Sequence, residues 1–442
     1  MRSKKIALTI IILLAIFPLI IVRFIPAESS SGTQASAVFQ AKIAARVMRT
    51  ADLADILESH KNQLSLAALT IMDNCLKTSP SSRYLQERQA LLLAHTGQKT
   101  KALEVMENIR NTSAENRALI SAWSGKPAVQ SATSFDTLDN FEGYYQYIAA
   151  HELNIQAAPG FLEKEKKKAD NDICFFSFLT LAVSFCFLGA IVFLIKLKTI
   201  SAAAREKAES ISWNTPKTAG IFTGLFWMPA ILGILLSPLI KGKGIGSIAV
   251  FQIALYAASI FIIAKLLPRA QEFSGEDKTE AIGLQMIGLD KIKPRYIFMG
   301  TSGFGLCVPA VMAASLITSL FTGHQPMSSN PILDIAGQSS ASELIMLMVM
   351  ATLITPVYEE LYFRGLLFGT QRELFTPLWA GTISAAIFAM AHGDLQGTLP
   401  LFALGSIFAF LYQKTGSLWP GIISHALWNG FQASLLIMAH LG

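Results

Sequence analysis

The segment SELIMLMVMATLITPVYEELYFR, residues 342–364, places two glutamates and an arginine at the end of a long apolar stretch. A helix of about 20 apolar residues is long enough to cross the hydrocarbon core of a bilayer. Ionisable side chains within such a helix cost free energy and usually mark a functional site. The segment therefore predicts a membrane helix that carries functional groups near one end.

The composition of the whole chain agrees with a membrane protein. Of its 442 residues, 52% are hydrophobic and 15% are charged, whereas about 25% are charged in soluble domains. Apolar stretches of spanning length recur and predict about nine spans. They start near Ile6, Ile173, Ala219, Ser247, Tyr296, Ser342, Pro377, Thr398 and Leu418. We expect an all-α, polytopic protein integral to the cell (plasma or inner) membrane, with the lipid bilayer as its surroundings.

The formal charge of +6 does not indicate a nucleic-acid partner. The lysines and arginines cluster beside the spans and form no aromatic-interleaved basic patch, so they describe membrane topology. The four cysteines offer neither a CxxC pair nor a disulfide framework.

The charge pattern divides the chain into domains. Residues 1–23 are predicted to be an N-terminal membrane anchor, with a cleaved signal peptide as the alternative. If the basic start stays in the cytoplasm, the segment after the first helix is exported. We therefore expect a linker at 24–37, an extracytoplasmic helical domain at 38–170, and a polytopic membrane domain of eight helices at 171–442.

The predicted extracytoplasmic domain contains a weak internal repeat. An offset of 34 residues aligns Ala68 with Ala102 and Met72 with Met106, and this offset is the tetratricopeptide period. The segment resembles a short tetratricopeptide array, and a helical bundle with an accidental repeat is the alternative. In the clearer unit, residues 85–95 and 99–110 are predicted helices joined by a turn at Gly97. Such an array would bind a protein partner.

Helix geometry separates the roles of the two adjacent glutamates. Neighbouring residues on a helix point about 100° apart, so Glu359 and Glu360 cannot face the same partner. Glu360 and Arg364, at spacing i, i+4, can pair. Glu359 is then left without an obvious neighbour of opposite charge and suits a general base. Pro356, just before them, is expected to kink the helix.

Two further motifs lie in the following spans. Phe388 and His392 share one helical face, and His425 and Asn429 are stacked one turn apart in the last span. Three helices can therefore bring one glutamate, two histidines and one asparagine to a shared cavity. His95 and His151 have no partner at a useful spacing and are expected to be solvated or structural.

The three motifs, EExxxR, FxxxH and HxxxN, occur in this order and resemble those of the CPBP family of intramembrane proteases, which includes type II CAAX prenyl endopeptidases. The resemblance covers about residues 294–441. It implies that Glu359 and His392 activate a water and that His425 and Asn429 stabilise the oxyanion. The pair of Glu360 and Arg364, expected from helix spacing, would brace the helix as supporting residues. The implied substrate is a peptide or membrane protein.

Two alternatives remain open at this stage. No cofactor is favoured, although Glu359, His392 and His425 could instead bind zinc with water as the fourth ligand. The zinc-protease signature HExxH is absent. A non-catalytic scaffold or bacteriocin-immunity-type protein is the other alternative, since polar groups also join membrane helices through hydrogen bonds.

Overall fold

The protein is described here from a computed structural model. It covers residues 30–54, 61–109, 113–125, 134–138, 140–200, 222, 224, 245–270, 284, 287–322, 341–372, 374–393 and 397–441. All regular elements in these ranges are helical, which confirms the all-α prediction. The predicted anchor at 1–23 lies outside the described residues, as does the span predicted from Ala219 apart from residues 222 and 224.

The chain forms two compact units. One is built mainly from Ser29–Leu181, and the other mainly from Ala182–Phe321 and Gln338–Ser434. The helices of the first unit are α1 (Ser30–Leu53), α2 (Lys61–Thr78), α3 (Arg83–His95), α4 (Lys99–Glu107), α5 (Ala114–Trp123), α6 (Tyr144–Glu152) and the first part of α7 (Phe161–Ile200).

The helical hairpin predicted around Gly97 is present. Helices α3 and α4 pack against each other, and Gly97 joins them with a φ of +84°. A side chain with a Cβ rarely adopts this left-handed conformation, so glycine fits the turn. The pair confirms the predicted helix–turn–helix, while its assignment to the tetratricopeptide family stays a prediction.

The linker predicted at 24–37 is wrong from Ser30 onward, because α1 begins there. The small polar residues of this stretch suggested a loop. Alanine and glutamine are also good helix formers. The apolar positions Ala41, Ala44 and Met48, at helical spacing, are fully buried in the core of the first unit. Packing of this apolar face stabilises α1.

A buried network of charges joins α1 to α7. Arg46 Nη2 lies 2.6 Å from Asp172 Oδ1, and Arg49 Nη2 lies 2.5 Å from Asp172 Oδ2. Arg49 Nη1 also binds Glu165 Oε2 at 3.0 Å. Because all four side chains are buried, each charge depends on its partners for the stabilisation that water would otherwise supply.

The second unit contains the remaining helices. They are the end of α7, α8 (Ile245–Ala270), α9 (Pro294–Thr322), α10 (residues 341–371), α11 (Pro377–Ala391), α12 (Thr398–Thr415) and α13 (Trp419–Leu441).

Several of these helices have the length and composition of membrane spans. Among the described residues, three candidates are Phe161–Ile195, Pro294–Phe321 and Ile345–Gln371. Ala249–Lys265 and Pro377–Ala391 are shorter apolar helices. Large apolar side chains on α7 and α9, such as Phe185 and Phe321, are exposed, as expected for residues that contact lipid.

Helix α10 alternates between two helical geometries. Its segments are Ala341–Val349 (α), Met350–Ile354 (π), Thr355–Glu360 (α), Leu361–Phe368 (π) and Gly369–Gln371 (α). Pro356 lies two residues after the end of the first π-helical turn. Because proline has no backbone N–H, it cannot donate a hydrogen bond to the carbonyl one turn before it. The disturbance expected at Pro356 coincides with this π-helical turn, a feature often found at functional sites.

We predict that Asp172→Ala strongly destabilises the first unit, by about 3–5 kcal/mol in free energy of unfolding, since two buried guanidinium groups lose their shared carboxylate. Lys168→Ala is the matched control on the same helix. Lys168 binds Glu165 at 2.7 Å but is partly exposed, so its loss should cost at most about 1 kcal/mol. Thermal unfolding of the full chain in detergent measures both variants. Equal effects would contradict a dominant role for the buried network.

Candidate active site

The central feature of the second unit is a fully buried ion pair on α10. Arg364 Nη1 donates to Glu360 Oε1 at 2.9 Å, and neither side chain is exposed. The other terminal nitrogen, Nη2, donates to the Gly405 carbonyl of α12 at 3.0 Å. The i, i+4 pairing predicted from the sequence is therefore confirmed, and the pair also ties α10 to α12.

Aromatic rings surround the guanidinium group. The Cζ atom of Arg364 lies 4.6 Å from the ring centroid of Phe388, 5.2 Å from that of Phe408 and 5.9 Å from that of Phe363. A desolvated cation gains about 2 kcal/mol from such a ring face. The rings exclude water from the ion pair and partly replace the hydration that Arg364 has lost.

His425 of α13 lies between the two glutamates. Its Nδ1 is 3.3 Å from Glu360 Oε1, and its Nε2 is 3.7 Å from Glu359 Oε2. The imidazole also stacks on Phe408, with ring centroids 4.9 Å apart and planes 19° apart. The geometry therefore gives a continuous row of charged and polar groups, from Arg364 through Glu360 and His425 to Glu359.

The contacts within this row determine which ring nitrogen of His425 carries a hydrogen. Glu360 forms an ion pair with Arg364, and a carboxylate in such a pair only accepts hydrogen bonds. Its contact with His425 then requires hydrogen on Nδ1. The other ring nitrogen of His425, Nε2, faces Glu359 and can bind or release a proton. Sequence reasoning missed the contact between Glu360 and His425, because the two residues lie 65 positions apart on different helices.

Glu359 is the more accessible of the two glutamates, with its side chain 16% exposed. Its Oε2 atom is buried and has no hydrogen-bond partner among the described residues. The prediction that the two glutamates cannot face the same partner is wrong, because one imidazole reaches both. The prediction that Glu359 lacks a neighbour of opposite charge also needs refinement. His425 is that neighbour when it is protonated, but at 3.7 Å it is too distant for a direct hydrogen bond.

His392 lies at the C-terminal end of α11 and is exposed. Its Nδ1 is 2.8 Å from the Phe388 carbonyl oxygen, which accepts, so Nδ1 carries the hydrogen and Nε2 of the neutral ring is a free base. The ring centroid of Phe388 lies 4.7 Å from that of His392 and 5.9 Å from that of His425. Both histidines thus border the same phenylalanine.

The structure does not bring the alternative zinc ligands together. Among the described residues, Glu359, His392 and His425 are not a group whose ligand atoms all lie within 4.8 Å of one another. A shared ion would require His392 to move, and this ligand set stays a prediction.

Asn429 joins α13 to the irregular part of α10. Its Nδ2 donates to the Ala351 carbonyl at 2.8 Å, within the first π-helical turn. In π-helical geometry this carbonyl would bind the N–H five residues later, but that residue is Pro356, which has none. Asn429 therefore supplies the missing donor, and it retains a second amide hydrogen.

Two glycines allow the close packing of the site. A Cβ on Gly421 of α13 would lie 2.7 Å from Glu360 Oε2. A Cβ on Gly405 would lie 3.0 Å from the Cα of Ala385. The absence of a side chain lets α13 approach the ion pair at Gly421 and lets α12 pack closely on α11 at Gly405. The motif analysis missed both, because a glycine in an apolar helix gives no distinct signal in one sequence.

The part of the chain that carries these residues resembles known membrane peptidases. Residues 341–431 match the family described as "Type II CAAX prenyl endopeptidase Rce1-like". The "Putative membrane peptidase YdiL" of Bacillus subtilis (strain 168) is 32% identical over 109 residues, which are 25% of this chain and 43% of that protein. The "Membrane-embedded CAAX protease MroQ" of Staphylococcus aureus (strain USA300) is 33% identical over 138 residues, 29% of this chain and 53% of that protein.

The similarity is limited in extent. The chain spans about half the length of these two curated relatives, and no solved structure matches it. The matched segment is shorter than the resemblance predicted at 294–441, yet it includes all seven residues that the three motifs specify. The chain is therefore an integral membrane protein, and its residues 341–431 are similar to a CAAX-protease family domain.

We predict that Gly421→Ala lowers the melting temperature of the protein, whereas Gly430→Ala does not. Both glycines lie on α13 and both substitutions add the same helix propensity. The new methyl at 421 would collide with the held carboxylate of Glu360, while at 430 the nearest atom is a methyl of Thr352 at 3.8 Å. Thermal unfolding in detergent compares the pair. Equal melting temperatures would show that the Glu360 carboxylate is free to move.

Proposed function

We propose that the protein is an intramembrane endopeptidase that hydrolyses a peptide bond with a water activated by Glu359. The observation that carries this proposal is the row from Arg364 to Glu359, in which a buried ion pair orients an imidazole toward a second carboxylate. The similarity of residues 341–431 to CAAX-type peptidases supports the same assignment.

Several buried polar atoms at this site lack hydrogen-bond partners, which indicates that water or substrate binds there. Glu359 Oε2, Glu360 Oε2 and Arg364 Nε are buried without hydrogen-bond partners among the described residues. Buried polar groups are nearly always satisfied in native proteins, so each exception needs an explanation. A water bound to Glu359 Oε2 would satisfy that atom, and it is the water that we propose to be the nucleophile.

The reaction proceeds in two proton transfers. Glu359 accepts a proton from the water as the oxygen bonds to the carbonyl carbon, which gives a tetrahedral oxyanion. The protonated Glu359 then donates this proton to the leaving nitrogen as the C–N bond breaks. His392, whose Nε2 is a free base, assists the first transfer, as the family resemblance implies.

The oxyanion is stabilised by donors from α13. The Nε2–H of protonated His425 and the second amide hydrogen of Asn429 are the two donors that we assign to it. Such donors, held where water is scarce, contribute about 3–4 kcal/mol each to stabilisation of the transition state. Glu360 and Arg364 act through His425, because they fix the orientation of its ring and keep its Nδ1 protonated.

The substrate class follows from the membrane location. We propose a peptide or membrane protein that is cleaved within or at the edge of the bilayer. One of the relatives is named as a CAAX protease, but no residue of the described site requires a prenyl group. The extracytoplasmic location of residues 38–170 and their binding of a protein partner stay predictions, as does the zinc alternative.

We predict that Glu359→Gln abolishes turnover, since an amide cannot accept the proton of water at neutral pH. Glu343→Gln, the same change on α10 in its first turn, is the matched control and should retain turnover. Turnover is measured by comparative proteomics of membranes from cells that carry each variant. An uncut precursor should accumulate in Glu359→Gln cells and should be absent from Glu343→Gln cells. An unchanged membrane proteome and an unchanged cellular phenotype in Glu359→Gln cells would favour the non-catalytic scaffold.

The two histidines should differ in their effect on stability. We predict that His392→Ala and His425→Ala each lower turnover by about 10²- to 10⁴-fold, the usual contribution of acid–base groups. Only His425→Ala should also lower the melting temperature, because His425 is buried against Glu360 whereas His392 is exposed. Cleavage of the precursor and thermal unfolding are measured on the same preparations. Full turnover in His392→Ala would remove that residue from the mechanism.

A further inference from the structure

A second cluster of ionisable groups lies in the first unit, at the C-terminal ends of α3 and α6. It consists of His95, His151 and Glu152, whose ligand atoms all lie within 4.8 Å of one another. Among the residues that the structure describes, no other group of three such side chains meets this distance. The two imidazole centroids are 5.6 Å apart. Residues more than fifty positions apart in sequence thus converge at one place.

His95 is oriented like a metal ligand. Its side chain is 13% exposed, and its Nε2 lies 2.7 Å from Asp52 Oδ2. Since a carboxylate only accepts, Nε2 carries a hydrogen, and Nδ1 of the neutral ring presents a lone pair. Nδ1 is buried and has no hydrogen-bond partner among the described residues. A histidine that donates one ring N–H to a carboxylate and keeps the other nitrogen free is the usual arrangement around a bound metal.

Asp52 is itself held in place. The hydroxyl of Tyr144 donates to Asp52 Oδ2 at 2.7 Å, and Lys61 Nζ lies 3.1 Å from Oδ1. Two separate elements therefore fix the carboxylate that orients His95. This support reduces the rotation of the imidazole and keeps its lone pair directed at one point.

Glu152 divides its two oxygens between different partners. Its side chain is 4% exposed, and its Oε2 accepts from Trp123 Nε1 at 3.1 Å and lies 3.3 Å from Lys99 Nζ. Oε1 lies on the side of His151, 3.6 Å from Nδ1. One oxygen is thus occupied by donors that fix the carboxylate, and the other remains a ligand for a cation.

His151 completes the group from the solvent side. Its side chain is 61% exposed, so the ring can turn without disturbing the core. Ligand atoms around a tetrahedral Zn²⁺ are about 3.3 Å apart, as follows from metal–ligand distances near 2 Å. A rotation of His151 can bring its ring nitrogen closer to the other two ligand atoms, and water can take the fourth position.

We propose that His95, His151 and Glu152 form a binding site for a divalent transition-metal ion, with Zn²⁺ as the best fit to two imidazoles and one carboxylate. This donor set suits zinc, whereas calcium and magnesium prefer oxygen ligands alone. The ion would join the ends of α3 and α6, which are distant in sequence, and would stabilise the folded first unit. The site is separate from the groups proposed for catalysis and does not depend on them.

The test is a Zn²⁺ titration of the purified full chain after removal of metal with a chelator. A chromogenic zinc indicator reports free metal. The wild type should bind one equivalent of Zn²⁺ tightly. His151→Ala should bind this equivalent at least about tenfold more weakly, because it has lost a ligand. Asp52→Asn should weaken binding by about 10- to 100-fold, since it removes the group that orients His95.

Controls separate this site from other bound zinc. Glu359→Gln should retain the tight equivalent, and so should Glu104→Gln, a change on α4 outside the cluster. Substitution with Co²⁺ should give visible absorption bands that His151→Ala loses, and Zn²⁺ should raise the melting temperature of the wild type but not of His151→Ala. Tight binding that survives His151→Ala, or zinc that binds only at millimolar concentration, would overturn the proposal.

Discussion

The C-terminal unit is organised around a guanidinium group that is fully buried. Removing a cation from water costs several kcal/mol even after the protein relaxes, and Arg364 recovers this cost through several groups at once. The carboxylate of Glu360 supplies opposite charge, the Gly405 carbonyl accepts a second hydrogen bond, and three phenylalanine rings surround the plane. These groups belong to α10, α11 and α12, so the contacts of one buried guanidinium hold three helices together.

The same constraint determines where His425 can lie. The Glu360 oxygen that binds Arg364 also lies 3.3 Å from His425 Nδ1, so the ion pair sets both the position and the proton of the imidazole. The close approach of α13 requires glycine at 421, where a methyl would meet the other oxygen of Glu360. Stability and the proposed chemistry therefore depend on the same atoms, which is a common source of conflict between stability and activity in enzymes.

The sequence predicted those parts of the site that depend on spacing within one helix. The pairing of Glu360 with Arg364 follows from the i, i+4 geometry, and the ordered motifs identified the six residues of the C-terminal site. Contacts between helices could not be obtained in this way. The approach of His425 to Glu360, and that of His151 to His95, depend on how helices pack, and a single sequence does not contain that distance. The linker prediction for residues 30–37 failed for a related reason, because packing of the apolar face that follows determines where α1 begins.

Pro356 shows how a local backbone defect can become part of a site. In a membrane an unpaired carbonyl costs several kcal/mol, since no water can replace the lost hydrogen bond. The missing N–H of Pro356 would leave the Ala351 carbonyl in this state, and Asn429 of α13 donates to that carbonyl at 2.8 Å. Asn429, which donates to the unpaired carbonyl of α10, thus lies one helical turn from His425. A proline that weakens α10 therefore also provides a fixed attachment for α13, and this attachment orients the face of α13 that His425 and Asn429 share.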